Sequence, residues 1–314
     1  MSLSEFELID RFFRRTPPRR EDTLLGIGDD AAVVHIEAGT NLHTVLLQWV
    51  EHQDFDPGMD PLVLGHRLLA FALGELARQG AQPAWMTLSL TLPAADPDWL
   101  EAFSQGLARL AERYNIDLVG GDTSRGPRVL RLHVHGLSSL ERPRADNIRT
   151  GDLIYVSGPL GDSGLAILDM YQEVRLPRRE REYAYQRFNQ PEPRLSLSAG
   201  LYELCSAVIP LTRGLATGLQ EQLSTTNTGA SLYAERIPIS TALQSFFEPA
   251  GGWLLPLTSP EAGELCLIIP ESKQMQLQGR LDALSASLHW VGQIERNRGI
   301  RAVRDDGTEL LNLE

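Results

Sequence analysis

The sequence has little of several features that mark particular classes of protein. Its 2 cysteines among 314 residues are too few for a disulfide framework, and Cys205 and Cys266 lie in apolar segments, which favours buried thiols over a disulfide or metal pair. Its apolar runs, such as Leu265–Ile269, fall far short of the roughly 20 residues that cross a bilayer. Met1–Phe6 shows no basic stretch leading into an apolar one. We therefore expect a cytoplasmic protein without a membrane span.

Positive charge is also scarce. Because 29 Lys and Arg residues face 41 Asp and Glu residues, the net charge is −12, which repels the phosphate backbone of a nucleic acid. We therefore expect no nucleic-acid partner. A small phosphate ligand can still bind to a protein of this net charge where cations, arginines or backbone N–H groups offset the negative charge of the phosphate.

Strands and helices alternate along the first half of the sequence, which predicts an α/β or α+β fold. Asp60 and Pro61 supply a cap and a first-turn proline, and Gly80 closes the helix that they begin. A first helix is predicted from the capping box of Ser4 and Glu7. The other predicted elements are a helix over 98–114 and strands over 31–34, 44–50, 85–92, 117–119 and 129–135.

The polar residues 141–150 separate this half from a second one, which begins with an apolar strand at 152–156. We place the domain boundary there, with an N-terminal domain of residues 1–148 and a C-terminal α/β domain of residues 149–314. In the second domain, helices are predicted near 162–172, 180–188, 195–206 and 214–223, and strands near 230–233, 264–269 and 288–294.

Two glycine turns in the first domain carry carboxylates. In Gly28-Asp29-Asp30, the glycine lets the backbone approach a ligand and the hard carboxylate oxygens suit Mg²⁺. In Gly120-Gly121-Asp122-Thr123, the glycines permit backbone contact with an anion, Asp122 can bind a metal and Thr123 offers a hydroxyl. Each turn can also be a local cap of a strand, so the residues alone leave both interpretations open.

A third glycine-rich segment, Gly158–Gly164, has the composition of a phosphate-binding loop but lacks its Lys-Ser/Thr ending. We interpret it as a tight turn that opens a helix. The seven histidines show no spacing typical of zinc ligands, and no serine stands in a Gly-x-Ser-x-Gly elbow. The sequence therefore predicts neither a zinc site nor an acyl-transfer triad.

Six segments at compatible spacings follow one another along the chain: Glu5–Ile9, Gly26–Ala32, Gly80–Trp85, Gly120–Thr123, Gly151–Gly158 and Pro191–Arg194. They occur in this order in thiamine-monophosphate kinases, and the sequence resembles that family over nearly its whole length. The family belongs to the superfamily of aminoimidazole ribonucleotide synthetase and selenophosphate synthetase.

The resemblance implies a two-domain α/β (α+β) fold of the aminoimidazole ribonucleotide synthetase type, whose N-terminal sheet domain dimerises into a homodimer. It also implies ATP bound near the dimer cleft and Mg²⁺-dependent transfer of its γ-phosphoryl group to thiamine monophosphate. Direct transfer of this kind needs positioning and charge neutralisation rather than a covalent nucleophile. By resemblance, the metal ligands would be Asp29, Asp30, Glu75 and Asp122. The nucleotide contacts would be Gly121, Asp122 and Thr123.

The sequence departs from the family where the family has further carboxylates. The family's Asp-Ile-Ser-Asp-Gly-Leu segment corresponds to Pro210–Leu215, a strand aspartate corresponds to Leu47, and a histidine corresponds to Asp54. Glu75 stands in place of an aspartate, while Glu261 keeps a family glutamate. Loss of ligands from a multi-metal phosphoryl-transfer site lowers the rate by orders of magnitude.

Arg213 replaces one of these carboxylates. We hypothesise that its fixed positive charge substitutes for part of a missing cation and holds a phosphate, the alternative being a solvated side chain turned outward. Three functions remain open. The one that we prefer is a divergent thiamine-monophosphate kinase with reduced or altered activity. The second is a non-catalytic partner protein that binds a nucleotide or phosphate. The third is an ATP-dependent enzyme of the same superfamily with another substrate.

Overall fold

A computed structural model describes residues 5–14, 18–139 and 147–313. Within these residues the chain forms two compact units. The first contains the residues up to Leu76 together with Ala81–Ser139, and the second contains Ala77–Gly80 and the residues from Asn147 onward. The predicted cap at Ser4 lies outside the described residues, and the domain boundary after residue 148 stays a prediction.

The first unit combines a small and a larger sheet with helices. Its described helices are α1 (Glu5–Leu8), which continues as a π-helical segment (Ile9–Phe13), α2 (Pro61–Ala77) and α3 (Pro97–Arg113). Its strands are β1 (Thr23–Leu25), β2 (Val33–Val34), β3 (Asn41–Val50), β4 (Gln82–Leu92), β5 (Asp117–Arg125) and β6 (Val129–Ser138). β1 pairs with β2, and the larger sheet has the order β3-β6-β4-β5, in which only β4 and β5 are parallel.

Helix α2 packs on one face of the larger sheet and crosses α3 at close range. A Cβ atom at Gly136 of β6 would lie 2.7 Å from the Leu76 side chain of α2. A Cβ atom at Gly106 of α3 would lie 1.9 Å from the carbonyl oxygen of Leu62, so only glycine allows the helices to approach so closely. The opposite face of the sheet is more open, and Leu46 of β3 is 59% exposed there.

The second unit contains a seven-stranded sheet. Its strands are β7 (Leu153–Val156), β8 (Ala207–Pro210), β9 (Gly229–Tyr233), β10 (Leu265–Ile269), β11 (His289–Glu295), β12 (Ile300–Val303) and β13 (Glu309–Asn312), in the order β13-β12-β9-β11-β7-β10-β8. Its helices are α4 (Asp162–Met170), α5 (Arg178–Asn189), α6 (Leu195–Leu201), α7 (Leu215–Leu223), α8 (Thr241–Ser245), α9 (Leu254–Thr258) and α10 (Gln274–Leu284).

Strands β7, β10 and β8 are buried along their whole length, as expected for a sheet covered on both faces. Their side chains join one hydrophobic core that includes Ile154, Ile209 and Ile268. Across the part of the chain that the structure describes, every helix is too short or too polar to cross a membrane.

The predicted fold class, a mixed α/β chain in two parts, is confirmed. The helix predicted over 195–206 is α-helical only to Leu201; it continues as a 3-10 turn over Tyr202–Leu204, and the buried strand β8 begins at Ala207. Helices α8, α9 and α10 and strands β8, β12 and β13 were not predicted. Most of these elements have 4 or 5 residues, which gives too little periodicity to recognise.

Candidate functional site

A pocket of about 330 Å³ lies beside β5, the outer strand of the larger sheet in the first unit. It is lined by the turn between β1 and β2, by the middle of β5 with two leucines of β4, and by the helical segment at the start of the chain. The strands lie far along the sequence from the turn and the helical segment. The polar side chains that these segments bring to the pocket include Asp10, Asp29, Asp30, Asp122 and Thr123.

The turn between β1 and β2 presents two exposed carboxylates, Asp29 and Asp30. Gly28 has a φ of +126°, a backbone conformation that residues other than glycine rarely adopt. The backbone N–H of Asp30 donates to the Asp29 carboxylate, with 2.7 Å between N and Oδ1. The turn is therefore stabilised by a local hydrogen bond and also presents carboxylates to the pocket. The interpretation as a local cap and the interpretation as a metal-binding turn are compatible.

Strand β5 runs through the Gly-Gly-Asp-Thr segment. The strand predicted over 117–119 is therefore too short, because the pairing with β4 continues to Arg125. A Cβ atom at Gly121 would lie 1.9 Å from the carbonyl oxygen of Leu88, whereas one at Gly120 would have its nearest neighbour at 4.0 Å. Glycine is thus required at position 121 by strand packing, while the same strand places Asp122 and Thr123 in the pocket lining.

The donor set of the pocket fits Mg²⁺. Asp29, Asp30 and Asp122 offer exposed hard oxygens, and Mg²⁺ typically binds one or two carboxylates together with waters and phosphate oxygens. No three His, Cys, Asp or Glu side chains in the described residues form a metal-binding group by themselves. Glu75 is half-buried on α2 and lies outside the described lining of this pocket.

Sequence reasoning missed Asp10 and Arg14, which also line the pocket. Arg14 Nη1 donates to Asp10 Oδ1 at 2.9 Å, and the two side chains are 45% and 60% exposed. A Cβ atom at Gly28 would lie 2.9 Å from Arg14 Nη2, so the guanidinium rests against the glycine turn. The spacing of four residues indicates an ion pair on one helical face, but nothing in the sequence shows that this face meets the turn.

Arg213 belongs to the second unit. Its guanidinium pairs with Glu221, and the two side chains are 67% and 43% exposed. The neighbouring Leu211 is fully buried in the hydrophobic core. This arrangement favours the outward, solvated alternative for Arg213, and its contact with a phosphate stays a prediction.

The second unit contains a buried carboxylate under its glycine-rich segment. Glu261 is 2% exposed, and its Oε1 accepts hydrogen bonds from the backbone N–H groups of Gly161 at 3.0 Å and Ser163 at 2.9 Å. Burial raises the pKa of Glu261 to about 8, although the charge of Arg187 and the Ser163 N–H oppose this effect. The segment Gly158–Gly164 is therefore a tight turn that opens α4, as predicted, and two of its N–H groups donate to the buried side chain of Glu261.

A second buried glutamate lies beside the first. Glu264 is 1% exposed and accepts hydrogen bonds from Arg187 at 3.0 Å, from Arg194 at 3.1 Å and from the Ser157 hydroxyl at 2.5 Å. Burial acts to raise its pKa, but the charges of the two arginines outweigh burial and lower it. The family glutamate at position 261 thus belongs to a buried ionic network in the second unit.

Comparisons with known proteins match both the sequence and the fold. The family described as "AIR synthase related protein, N-terminal domain" matches residues 28–137, which include both carboxylate segments of the pocket. Thiamine-monophosphate kinase of Escherichia coli K12 is 36% identical over 97% of this chain and 95% of its own length. The enzyme of Haemophilus influenzae is 30% identical over 95% of this chain and 92% of its own length.

The structural comparison agrees. The crystal structure of thiamine-monophosphate kinase from Stenotrophomonas maltophilia K279a superimposes with a TM-score of 0.85 at 33% identity and covers 99% of each chain. These matches cover nearly the whole of both chains and therefore span both units. The chain belongs to the thiamine-monophosphate kinase family.

Proposed function

We propose that this chain transfers the γ-phosphoryl group of ATP to thiamine monophosphate in a Mg²⁺-dependent reaction. One observation carries the proposal: Asp29, Asp30 and Asp122, which the family resemblance assigns to metal binding, line a single pocket together with Thr123 and the backbone of Gly121. Phosphoryl transfer requires such a place, where oxygen ligands and backbone groups meet around a polyphosphate.

The pocket residues have different roles in binding a nucleotide. Asp29, Asp30 and Asp122 would hold Mg²⁺, which when bound offsets the negative charge on phosphate oxygens. Without a cation these exposed carboxylates repel a polyphosphate, so nucleotide binding should depend strictly on Mg²⁺. The Thr123 hydroxyl can donate to a phosphate oxygen. The reaction needs no covalent intermediate on the protein, because the acceptor phosphate attacks directly.

We expect a low rate, because the family's carboxylate positions are occupied here by Leu47, Pro210 and Arg213, which offer no metal-binding oxygen from their side chains. Leu47 is a half-buried residue of β3, and Leu211 beside Pro210 lies in a hydrophobic core. Asp54, which stands where the family has a histidine, accepts a hydrogen bond from the backbone N–H of Val50, at 2.8 Å between N and Oδ2, and so holds the turn after β3.

A second candidate function is nucleotide or phosphate binding without transfer. It is favoured by the segment Pro210–Arg213, whose carboxylates are absent and whose one charged side chain pairs with Glu221 at the surface. Ligand binding would then persist in the first unit while catalysis is lost.

Incubation of the purified protein with ATP, MgCl₂ and thiamine monophosphate distinguishes these functions. Formation of thiamine diphosphate and ADP in equal amounts supports the kinase, and its loss in Asp122→Asn supports the pocket. Binding of ATP by calorimetry without any product supports the binding function. ATP consumption that requires a different acceptor would indicate a changed substrate within the superfamily.

We also infer that the protein is a homodimer whose contact is the open face of the larger sheet in the first unit. On this face β3 exposes Leu42 by 48% and Leu46 by 59%. Across the same face, His133 of β6 stands opposite Leu46. Apolar side chains at this exposure on the open face of a sheet are typical of a surface that a partner covers.

A further inference from the structure

Arg14 is held against the glycine turn of the candidate pocket. It follows the π-helical segment directly, and its backbone N–H donates to the carbonyl oxygen of Ile9 at 2.9 Å. A Cβ atom at Gly28 would lie 2.9 Å from Arg14 Nη2 and 3.3 Å from its Cζ. The guanidinium therefore lies on the turn that presents Asp29 and Asp30, and a larger residue at position 28 would displace it.

The positive charge of Arg14 sets it apart from the other residues of the pocket. Among the described residues that line the pocket, Arg14 is the one basic side chain, and it stands with four aspartates. A polyphosphate entering the pocket needs positive charge beyond what one metal ion supplies, since ATP carries several negative charges. A guanidinium provides this charge permanently and can form two parallel hydrogen bonds to a phosphate.

The present partner of Arg14 can be exchanged at little cost. The ion pair with Asp10 joins two side chains that are 45% and 60% exposed, and ion pairs at such exposure contribute little to stability. A phosphate oxygen near the turn would offer the guanidinium a stronger, charge-assisted hydrogen bond. Asp10 then acts as a competitor that the ligand displaces.

We propose that Arg14 binds a phosphate group of the ligand in this pocket, releasing Asp10, and supplies part of the positive charge that Mg²⁺ supplies elsewhere in the family. The inference rests on the proposed function of the pocket as a nucleotide site. It assigns to Arg14 the role that the sequence suggested for Arg213, whose guanidinium pairs instead with Glu221.

The test measures binding of ATP and of inorganic triphosphate by calorimetry at fixed MgCl₂. Arg14→Ala should weaken binding of both ligands by at least about tenfold, because one charge-assisted contact is lost. Arg14→Lys, which keeps the charge without the bidentate fork, should give an intermediate loss. Arg11→Ala is the matched control, because Arg11 lies on the same segment against the Phe12 ring, outside the pocket lining.

A second variant tests the competition. Asp10→Asn should tighten triphosphate binding about two- to fivefold, and the gain should be smaller in combination with Arg14→Ala, because only the loss of a repelling charge then remains. Equal affinities in the natural protein, Arg14→Ala and Arg11→Ala, or a gain from Asp10→Asn that is the same with and without Arg14, would overturn the inference and leave the nucleotide site standing. No binding of ATP by the natural protein would instead overturn the proposed function, and the inference with it.

Discussion

Asp122 projects from the middle of β5 into the pocket, and its carboxylate is exposed. The substitution Asp122→Asn keeps the size of the side chain but removes the charge that a metal ion requires. We expect the affinity for ATP in the presence of MgCl₂ to fall about 10- to 100-fold, as measured by calorimetry. Glu37→Gln, at an exposed position of the same unit, is the control and should bind as the natural protein does.

The buried Glu261 makes stability depend on pH in a defined direction. Because burial raises its pKa from 4.5 to about 8, the folded chain keeps this proton between those values while the unfolded chain loses it. The free energy of unfolding therefore falls as pH rises through this range and levels off above about pH 8. Glu261→Gln cannot ionise, so relative to the natural protein it should gain on the order of 3 kcal/mol between pH 5 and 9.

Urea unfolding of both proteins at several pH values measures this gain. The same stability difference at pH 5 and pH 9 would contradict a retained proton on Glu261. Glu264→Gln should instead destabilise the protein, since it removes the buried negative charge that accepts hydrogen bonds from both Arg187 and Arg194. It should lose on the order of 3 kcal/mol at pH 7.

At the scale of elements, two adjacent glycines of β5 differ in the space available for a side chain. In Gly121→Ala the new methyl group meets the backbone of Leu88 at 1.9 Å, so β4 and β5 must separate, and we expect a loss of about 2–3 kcal/mol. Gly120→Ala is the matched control, since its methyl group would have its nearest neighbour at 4.0 Å. Thermal unfolding of both variants checks this, and equal melting temperatures would contradict the packing role of Gly121.

The elements with strong local signals were predictable from the sequence. Helix α2 occupies Pro61–Ala77, between the Asp60 cap and the terminating Gly80, as the sequence predicts. Helix α3 begins after Asp96, whose side chain accepts hydrogen bonds from the backbone N–H groups of residues 98 and 99. These signals lie within one or two helical turns, so they need no knowledge of the rest of the fold.

Elements defined by their neighbours were not predictable in the same way. Strand β8 is the apolar run Ala207–Pro210, which by itself is indistinguishable from the end of a buried helix, and its pairing with β10 decides its conformation. In the candidate site, the aspartates were recognisable from their glycine turns and from the family resemblance. Arg14 and Asp10 were not, because only the tertiary fold brings the first helical segment against Gly28.

At the scale of the whole molecule, the proposed homodimer predicts an effect far from the pocket. Leu46→Glu places a charge on the open face of the sheet and should shift the mass in solution from two chains to one, as measured by light scattering. Met275→Glu is the control, because Met275 is 91% exposed on α10 in the second unit and should leave the mass unchanged. A dimer that survives Leu46→Glu would place the contact elsewhere.

The close approach of Gly121 to Leu88 also limits how the pocket can diversify. One side of the pocket is a paired strand that excludes even one added methyl group at position 121, whereas the other side consists of an exposed turn and an exposed helical segment. The fold should therefore tolerate changes at positions 10, 14, 29 and 30, which alter ligand binding directly, whereas a larger residue at position 121 disrupts the pairing of β4 and β5. A mutational library for altered specificity should be confined to the exposed side.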